Sequence, residues 1–168
     1  AAKSGSEGVN HFCIGGLSCA AQRKGTIIHF ASRNAMDIEG LGIQLVNQLV
    51  EKDIITTPAD LYSLDAATVS RLEGMGELSA SNLLNAIEHS KETTLDRFIN
   101  ALGVPGVGET TSRDLSRFFG SLDRIMSAER KTLTFIPGVG PEIAQSAYQF
   151  FRNVHNRDVI GSLITAGV

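Results

Sequence analysis

The tripeptide Gly-apolar-Gly occurs four times in this chain of 168 residues: Gly40-Leu41-Gly42, Gly74-Met75-Gly76, Gly106-Val107-Gly108 and Gly138-Val139-Gly140, at intervals of 34, 32 and 32 residues. A period of that size marks a chain assembled from one supersecondary unit, each copy burying its apolar face against its neighbours. Aligned on the first glycine, the residue two before it is always apolar (Ile38, Leu72, Val104, Ile136) and the residue six after it is small or slim (Val46, Ala80, Ser112, Ala144). The next position is always polar (Asn47, Ser81, Arg113, Gln145). Leu49, Leu83, Leu115 and Ala147, nine after the first glycine, continue an apolar stripe at helical spacing.

Each unit reads as helix, tight glycine turn, helix. Helix-forming residues run on after the turns, as in Glu77 to Lys91 and Glu109 to Phe119, where Gly120 supplies a stop. Short apolar segments precede the turns: Ile27 to Met36, Ala66 to Leu72, Leu95 to Leu102 and Thr132 to Ile136. Thr93 with Asp96 has the spacing of a capping box. Thr57-Pro58 puts a cap and an N1 proline before a linking helix, and Pro141 fits N1 of the helix after the fourth turn. No stretch alternates with period two, so the expected fold is all-α, with short helices stacked in pairs. Hydrophobic residues at 42% and charged residues at 20% are enough for a buried core, which ten aromatics and no Trp make largely aliphatic.

Two glycines bracketing one apolar residue allow that residue to plug inward while the amides opening the next helix point outward. Unpaired N–H groups and the helix dipole there favour an anion, above all a phosphate. One such turn alone reads more simply as a helix end followed by a helix start. Four in phase resemble the helix-hairpin-helix motif, whose family binds duplex DNA in the minor groove through phosphates without reading sequence. The units near 38–50, 72–90, 104–119 and 136–153 then form two pseudo-symmetric pairs, each gripping two strands across one groove. The resemblance points to Gly40, Gly42, Gly74, Gly76, Gly106, Gly108, Gly138 and Gly140 as DNA-binding residues. The third hairpin ranks first for phosphate contact, because Thr110, Thr111, Ser112 and Arg113 follow it and Arg117 lies one turn beyond Arg113. The second offers Ser79, Ser81 and Asn82; the fourth offers Gln145 with no nearby cation; the first follows Asp37 and Glu39 and ranks last.

The formal charge of −3, with a pI near 5.8, argues against a protein that coats nucleic acid with a basic surface. The total hides an uneven distribution. Residues 1–36 carry four basic and one acidic side chain, 37–96 three and eleven, and 97–168 eight and six. The blander reading is of solvated helix faces; binding through backbone amides removes the conflict. No apolar run approaches the roughly 20 residues of a membrane span, and two Cys do not make a disulfide scaffold, so a cytosolic location is expected.

Cys13 and Cys19 are separated by a Gly-containing loop. Zinc takes four ligands, with a Cys-x2–4-Cys pair as its usual half-site; here five residues intervene and one half is present. A metal half-site, a local disulfide and two idle thiols all fit, with His11 and His29 as further conceivable ligands. Residues 1–12 read as a cut or tagged start.

Cys13-Ile-Gly-Gly-Leu-Ser-Cys19-Ala-Ala-Gln22-Arg23-Lys24, His29-Phe30, and Ser32 through Gly42 resemble the junction between zinc finger and helix-hairpin-helix domain in bacterial NAD-dependent DNA ligases. Pro58-Ala59-Asp60-Leu61-Tyr62 and Ser90-Lys91-Glu92-Thr93-Thr94 fit the same family. The resemblance covers about residues 13–168 and implies a short zinc-finger remnant over 1–25 followed by a DNA-binding domain over 26–168. It implies a parent enzyme that seals nicks in replication and repair using NAD and Mg²⁺, in the bacterial cytoplasm at the nucleoid. The partners it implies are nicked double-stranded DNA and the other ligase domains. Cys13 and Cys19 match the last two of the family's four zinc cysteines; the first pair is expected upstream. The family's nucleophilic lysine sits in Lys-x-Asp-Gly, which does not occur here, Lys3-Ser4-Gly5 lacking the Asp. This stretch is therefore expected to be inactive alone and to orient DNA for other domains. A module of a repair nuclease or helicase, and a protein-interaction domain docked through the acidic middle block, are the alternatives.

Overall fold

The computed structural model describes residues 16–168, and among these the fold is all-α. The helices are α1 (Arg23–Ala31), α2 (Ile43–Glu51), α3 (Ala66–Ser70), α4 (Glu77–His89), α5 (Leu95–Leu102), α6 (Glu109–Phe119), α7 (Leu122–Ser127), α8 (Arg130–Leu133), α9 (Pro141–Arg152) and α10 (Val154–Thr165). Four helical pairs are joined by the Gly-x-Gly turns: α1 with α2, α3 with α4, α5 with α6, and α8 with α9.

The repeat register is the core register. Ile38, Leu72, Val104 and Ile136 are buried, as are Leu49, Leu83, Leu115 and Ala147. Val46, Ala80, Ser112 and Ala144 are each 0% exposed, so the small side chain lets each second helix begin directly against the core. Helices α4, α5 and α6 begin and end close to the expected positions. The first segment does not: α1 starts at Arg23 and stops at Ala31, where Ile27 to Met36 was expected. The Ser32 hydroxyl donates to the His29 carbonyl (2.6 Å), and the amides of Met36 and Asp37 close back on the carbonyls of Phe30 and Ser32, with Asp37 at φ +52°. Carbonyls freed beyond that point are taken by α5: Arg97 donates to Ala35 O (2.9 Å) and Asn100 Nδ2 to Asn34 O (2.9 Å). Likewise α8 covers Arg130–Leu133 instead of Thr132 to Ile136, the remainder closing as turns. Thr94, not Thr93, is the N-cap of α5. Thr57-Pro58 opens a 3-10 helix, Pro58–Ser63, whose Asp60 carboxylate accepts from the amides of Thr56 and Thr57.

Side-chain bonds across the hairpins define two larger pairs. Gln48 on α2 donates to Glu73 O (2.8 Å) and accepts from Glu73 N (2.9 Å), tying the first unit to the residue just before Gly74. At the same repeat position in the fourth unit, Ser146 on α9 donates to Pro105 O (2.9 Å), just before Gly106. The two pairs meet where α1 faces α5: His29 Nε2 donates to Asn100 O (2.6 Å), beside the Arg97 and Asn100 bonds. The first described turn, Gly16–Ser18, is held to α10 by Leu17 N donating to Asn156 Oδ1 (2.9 Å), a buried bond across 139 residues of sequence.

Candidate nucleic-acid interface

The four hairpins share one backbone geometry. The first glycines, Gly40, Gly74, Gly106 and Gly138, have φ of +88°, +80°, +82° and +80°, which side-chain-bearing residues adopt at a cost. The second glycines, Gly42, Gly76, Gly108 and Gly140, are extended, with φ of −84°, −130°, −96° and −85°, and stand as N-caps of α2, α4, α6 and α9. Their carbonyls accept the first helical bonds, from Val46, Ala80, Ser112 and Ala144 at 2.9–3.0 Å. The bracketed Leu41, Val107 and Val139 are buried and Met75 is half-buried, while all eight glycines are exposed.

Neither backbone strain nor interior packing requires glycine at the second positions. Their φ values are open to any residue, and a Cβ added to any of the four would meet no atom within 4 Å. As N-caps they also provide no side-chain acceptor, whereas Asp65, Ser121 and Asn153 cap the first turns of α3, α7 and α10. Ser or Asp at these positions would add that acceptor and stabilise the helix by roughly a few tenths of a kcal/mol over glycine. Glycine keeps the first-turn amides of α2, α4, α6 and α9 bare and open to a body approaching from solvent, with one fewer donor on α9, which begins at Pro141.

Around this backbone the two pairs differ in charge. Glu39 and Glu73 precede the first two hairpins and Asp37 and Glu77 lie beside them, all exposed, whereas Pro105 and Pro137 occupy the Glu39 and Glu73 positions in the last two. On α6, Thr110, Arg113 and Arg117 are exposed, and neither arginine has an ion pair among the described residues. Asp96 opposite is held below the usual carboxylate range, first by a hydrogen bond with Thr94, with the charge of Arg113 adding to it. Ser112, grouped with the phosphate-facing residues by sequence, instead points inward, and its hydroxyl is buried without a partner. Ser79, Ser81 and Asn82 are exposed on α4.

The fourth hairpin does have a nearby cation, contrary to the sequence reading. Arg130, on the helix before the turn, hydrogen-bonds Gln145 Oε1 and lies over the Tyr148 ring, 5.6 Å from its centroid. Arg152 lies over the same ring at 4.7 Å. Tyr148 and Arg152, four apart on α9, were legible as one helix face; Arg130 reaches them only because the turn folds α8 back. Tyr148 and Arg152 of this cluster line a cleft of about 1210 Å³ together with Val107 and Gly108 of the third hairpin and Gly25, Thr26 and His29 of α1.

Cys19 is buried and disulfide-bonded; Cys13 and His11 lie outside the described residues. His29 is engaged with Asn100, and among the described residues no three His, Cys, Asp or Glu side chains converge as a metal site requires. No helix of the described residues is long and apolar enough to cross a membrane.

Comparison with known proteins agrees with this architecture. A model of a SAM-like helix-hairpin-helix tandem matches residues 32–88, and a helix-hairpin-helix motif model matches residues 97–160. A DNA ligase of Alkalilimnicola ehrlichii is 49% identical over 158 residues, covering 94% of this chain and 24% of that protein. A DNA ligase of Pseudomonas entomophila is 50% identical over 163 residues, covering 97% of this chain and 21% of that protein. The chain thus spans about a quarter or less of the length of the curated relatives it matches. With tandem hairpins in both halves and about half its residues shared along nearly its whole length, the chain matches a helix-hairpin-helix segment of these DNA ligases.

Proposed function

We propose that this chain holds duplex DNA for a ligase by presenting the bare first-turn amides of its hairpins to backbone phosphates on both sides of a minor groove. One observation carries the reading: four second glycines, at positions where neither φ nor interior packing requires glycine, leave the helix starts open to solvent. Contacts of this kind position a duplex without reading bases. The substrate is a nicked duplex, and the segment contributes by fixing the DNA on either side of the break so that the reacting ends are aligned elsewhere. Gly106, Gly108, Thr110, Arg113 and Arg117 make the strongest contact. The acidic tips beside Gly40 and Gly74 make the first pair the weaker one.

The parent enzyme is an NAD- and Mg²⁺-dependent ligase of replication and repair, acting in the bacterial cytoplasm at the nucleoid; this rests on the sequence resemblance. The chain has no Lys-x-Asp-Gly, so its residues do not fit a role in adenylate transfer, and its own part is confined to DNA binding. Zinc is carried by the resemblance alone: of Cys13 and Cys19, which match the family's last two zinc ligands, only Cys19 lies among the described residues.

Titration of a fluorescent duplex with the purified chain at several salt concentrations tests the proposal. The expected result is an affinity that falls linearly in log–log form as salt rises, with little dependence on sequence. Gly106→Val and Gly108→Val are expected to weaken binding more than Gly40→Val and Gly42→Val. Absence of binding at low salt would refute the reading, and equal losses in the four variants would refute the ranking.

A further inference from the structure

Beyond the hairpin amides, we propose that Arg130, Tyr148 and Arg152 form a second phosphate site, built from side chains, which takes a backbone phosphodiester of the same duplex. The proposal rests on the DNA-holding reading and extends it to residues outside the hairpin turns. Two guanidinium groups converge on one ring, at 5.6 and 4.7 Å from its centroid, although like charges repel. No carboxylate offsets them: the ion pairs among the described residues are Lys24–Glu51 and Lys91–Glu88, and the nearby Glu129 and Glu142 are exposed and bonded to neither arginine. Each arginine is instead steered by neutral groups, Arg130 by Gln145 Oε1 and Arg152 by the Ser127 carbonyl (3.4 Å). The arrangement therefore keeps both positive charges, fixes them over a half-buried aromatic ring and leaves them exposed. Planar guanidinium groups suit phosphate oxygens, to which they donate paired hydrogen bonds.

Position supports the same ligand. Gln145 lies one turn into α9 from the fourth hairpin, and Gln145, Tyr148 and Arg152 line the same cleft as Gly108 of the third. A strand seated on the third and fourth hairpins would thus pass the cluster.

The test measures duplex affinity against salt for the intact chain and for Arg130→Gln, Arg152→Gln and the double variant, with thermal melting to verify folding. Each neutralised phosphate contributes about 0.9 to the log–log salt slope. With one phosphodiester released, the double variant is expected to lose about 0.9 from the magnitude of that slope and about tenfold in affinity at low salt. The variant carrying Arg130→Lys and Arg152→Lys keeps the charge and is expected to restore most of the slope. A folded double variant with the parent slope overturns this site, and the hairpin reading survives if Gly108→Val still weakens binding. A parent chain with no duplex binding overturns both.

Discussion

Asn156 closes the fold between its two ends, and its removal has a calculable cost. The side chain is 1% exposed; Oδ1 accepts from Leu17 N at 2.9 Å and Nδ2 donates to Phe150 O at 3.0 Å. Asn156→Ala leaves a buried amide and a buried carbonyl without partners, each at about 1–3 kcal/mol. Part of that is recovered as water enters beside the Gly16 turn, so the expected loss is about 3 kcal/mol. For a domain of this size that lowers the melting temperature by roughly 6–12 °C. Thermal and urea unfolding read this directly, with Val154→Ala as a control: Val154 is 67% exposed, and its truncation is expected to change stability by under about 0.5 kcal/mol. Asn156→Asp keeps the acceptor for Leu17 but loses the donor to Phe150 and buries a carboxylate. Its penalty is therefore expected to shrink as the pH falls and the carboxyl takes up a proton. An Asn156→Ala protein melting within about 2 °C of the parent would refute the claim that this bond secures the N-terminal turn to α10.

Other expectations follow from single residues. Ser112→Ala removes a buried hydroxyl that has no partner, at a repeat position where two other units carry Ala, and is expected to stabilise the chain by about 1 kcal/mol in urea unfolding. Gly106→Ala forces a side chain to φ +82° and places its Cβ 3.1 Å from Ile143, so a loss of about 1–3 kcal/mol is expected by the same measurement. Asp65 is held below its ordinary pKa, first by the Thr68 amide it caps. A depressed folded-state pKa stabilises above the unfolded-state value and stops doing so as the pH falls through the folded value, so stability is expected to decline through the acid carboxylate range. Asp65→Asn, which still caps, is expected to flatten that part of a stability–pH curve.

The repeat itself was fully legible from Gly-x-Gly and its flanking register, because one backbone solution was written four times. Every register position assigned to the apolar face is buried except Met75, which is half-buried. The end of α1 was not legible: its boundary depends on carbonyls claimed by Arg97 and Asn100, more than 60 positions away. The six-residue α7 and the twelve-residue α10 lie outside the repeat and carry no signal of it, although Ser121 and Asn153 are recognisable caps. At the candidate site, Arg113 and Arg117 are readable as neighbours on one helix, while Ser112, which follows the third hairpin but also holds the small-residue position of the repeat, is turned into the core by helical rotation one residue before Arg113. Arg130 escaped because its partners are reached through a turn, not along one helix.

On the proposed reading, the second glycines are kept bare for a phosphate. Duplex affinity and urea stability of a variant carrying Gly76→Ala and Gly108→Ala test it directly. These methyl groups meet no atom of the protein within 4 Å, so stability is expected to stay within about 1 kcal/mol of the parent per site. Duplex affinity is expected to fall about tenfold or more, the equivalent of one or two charge-assisted hydrogen bonds lost or displaced. A variant that binds duplex DNA as tightly as the parent would mean that the bare helix starts hold no phosphate.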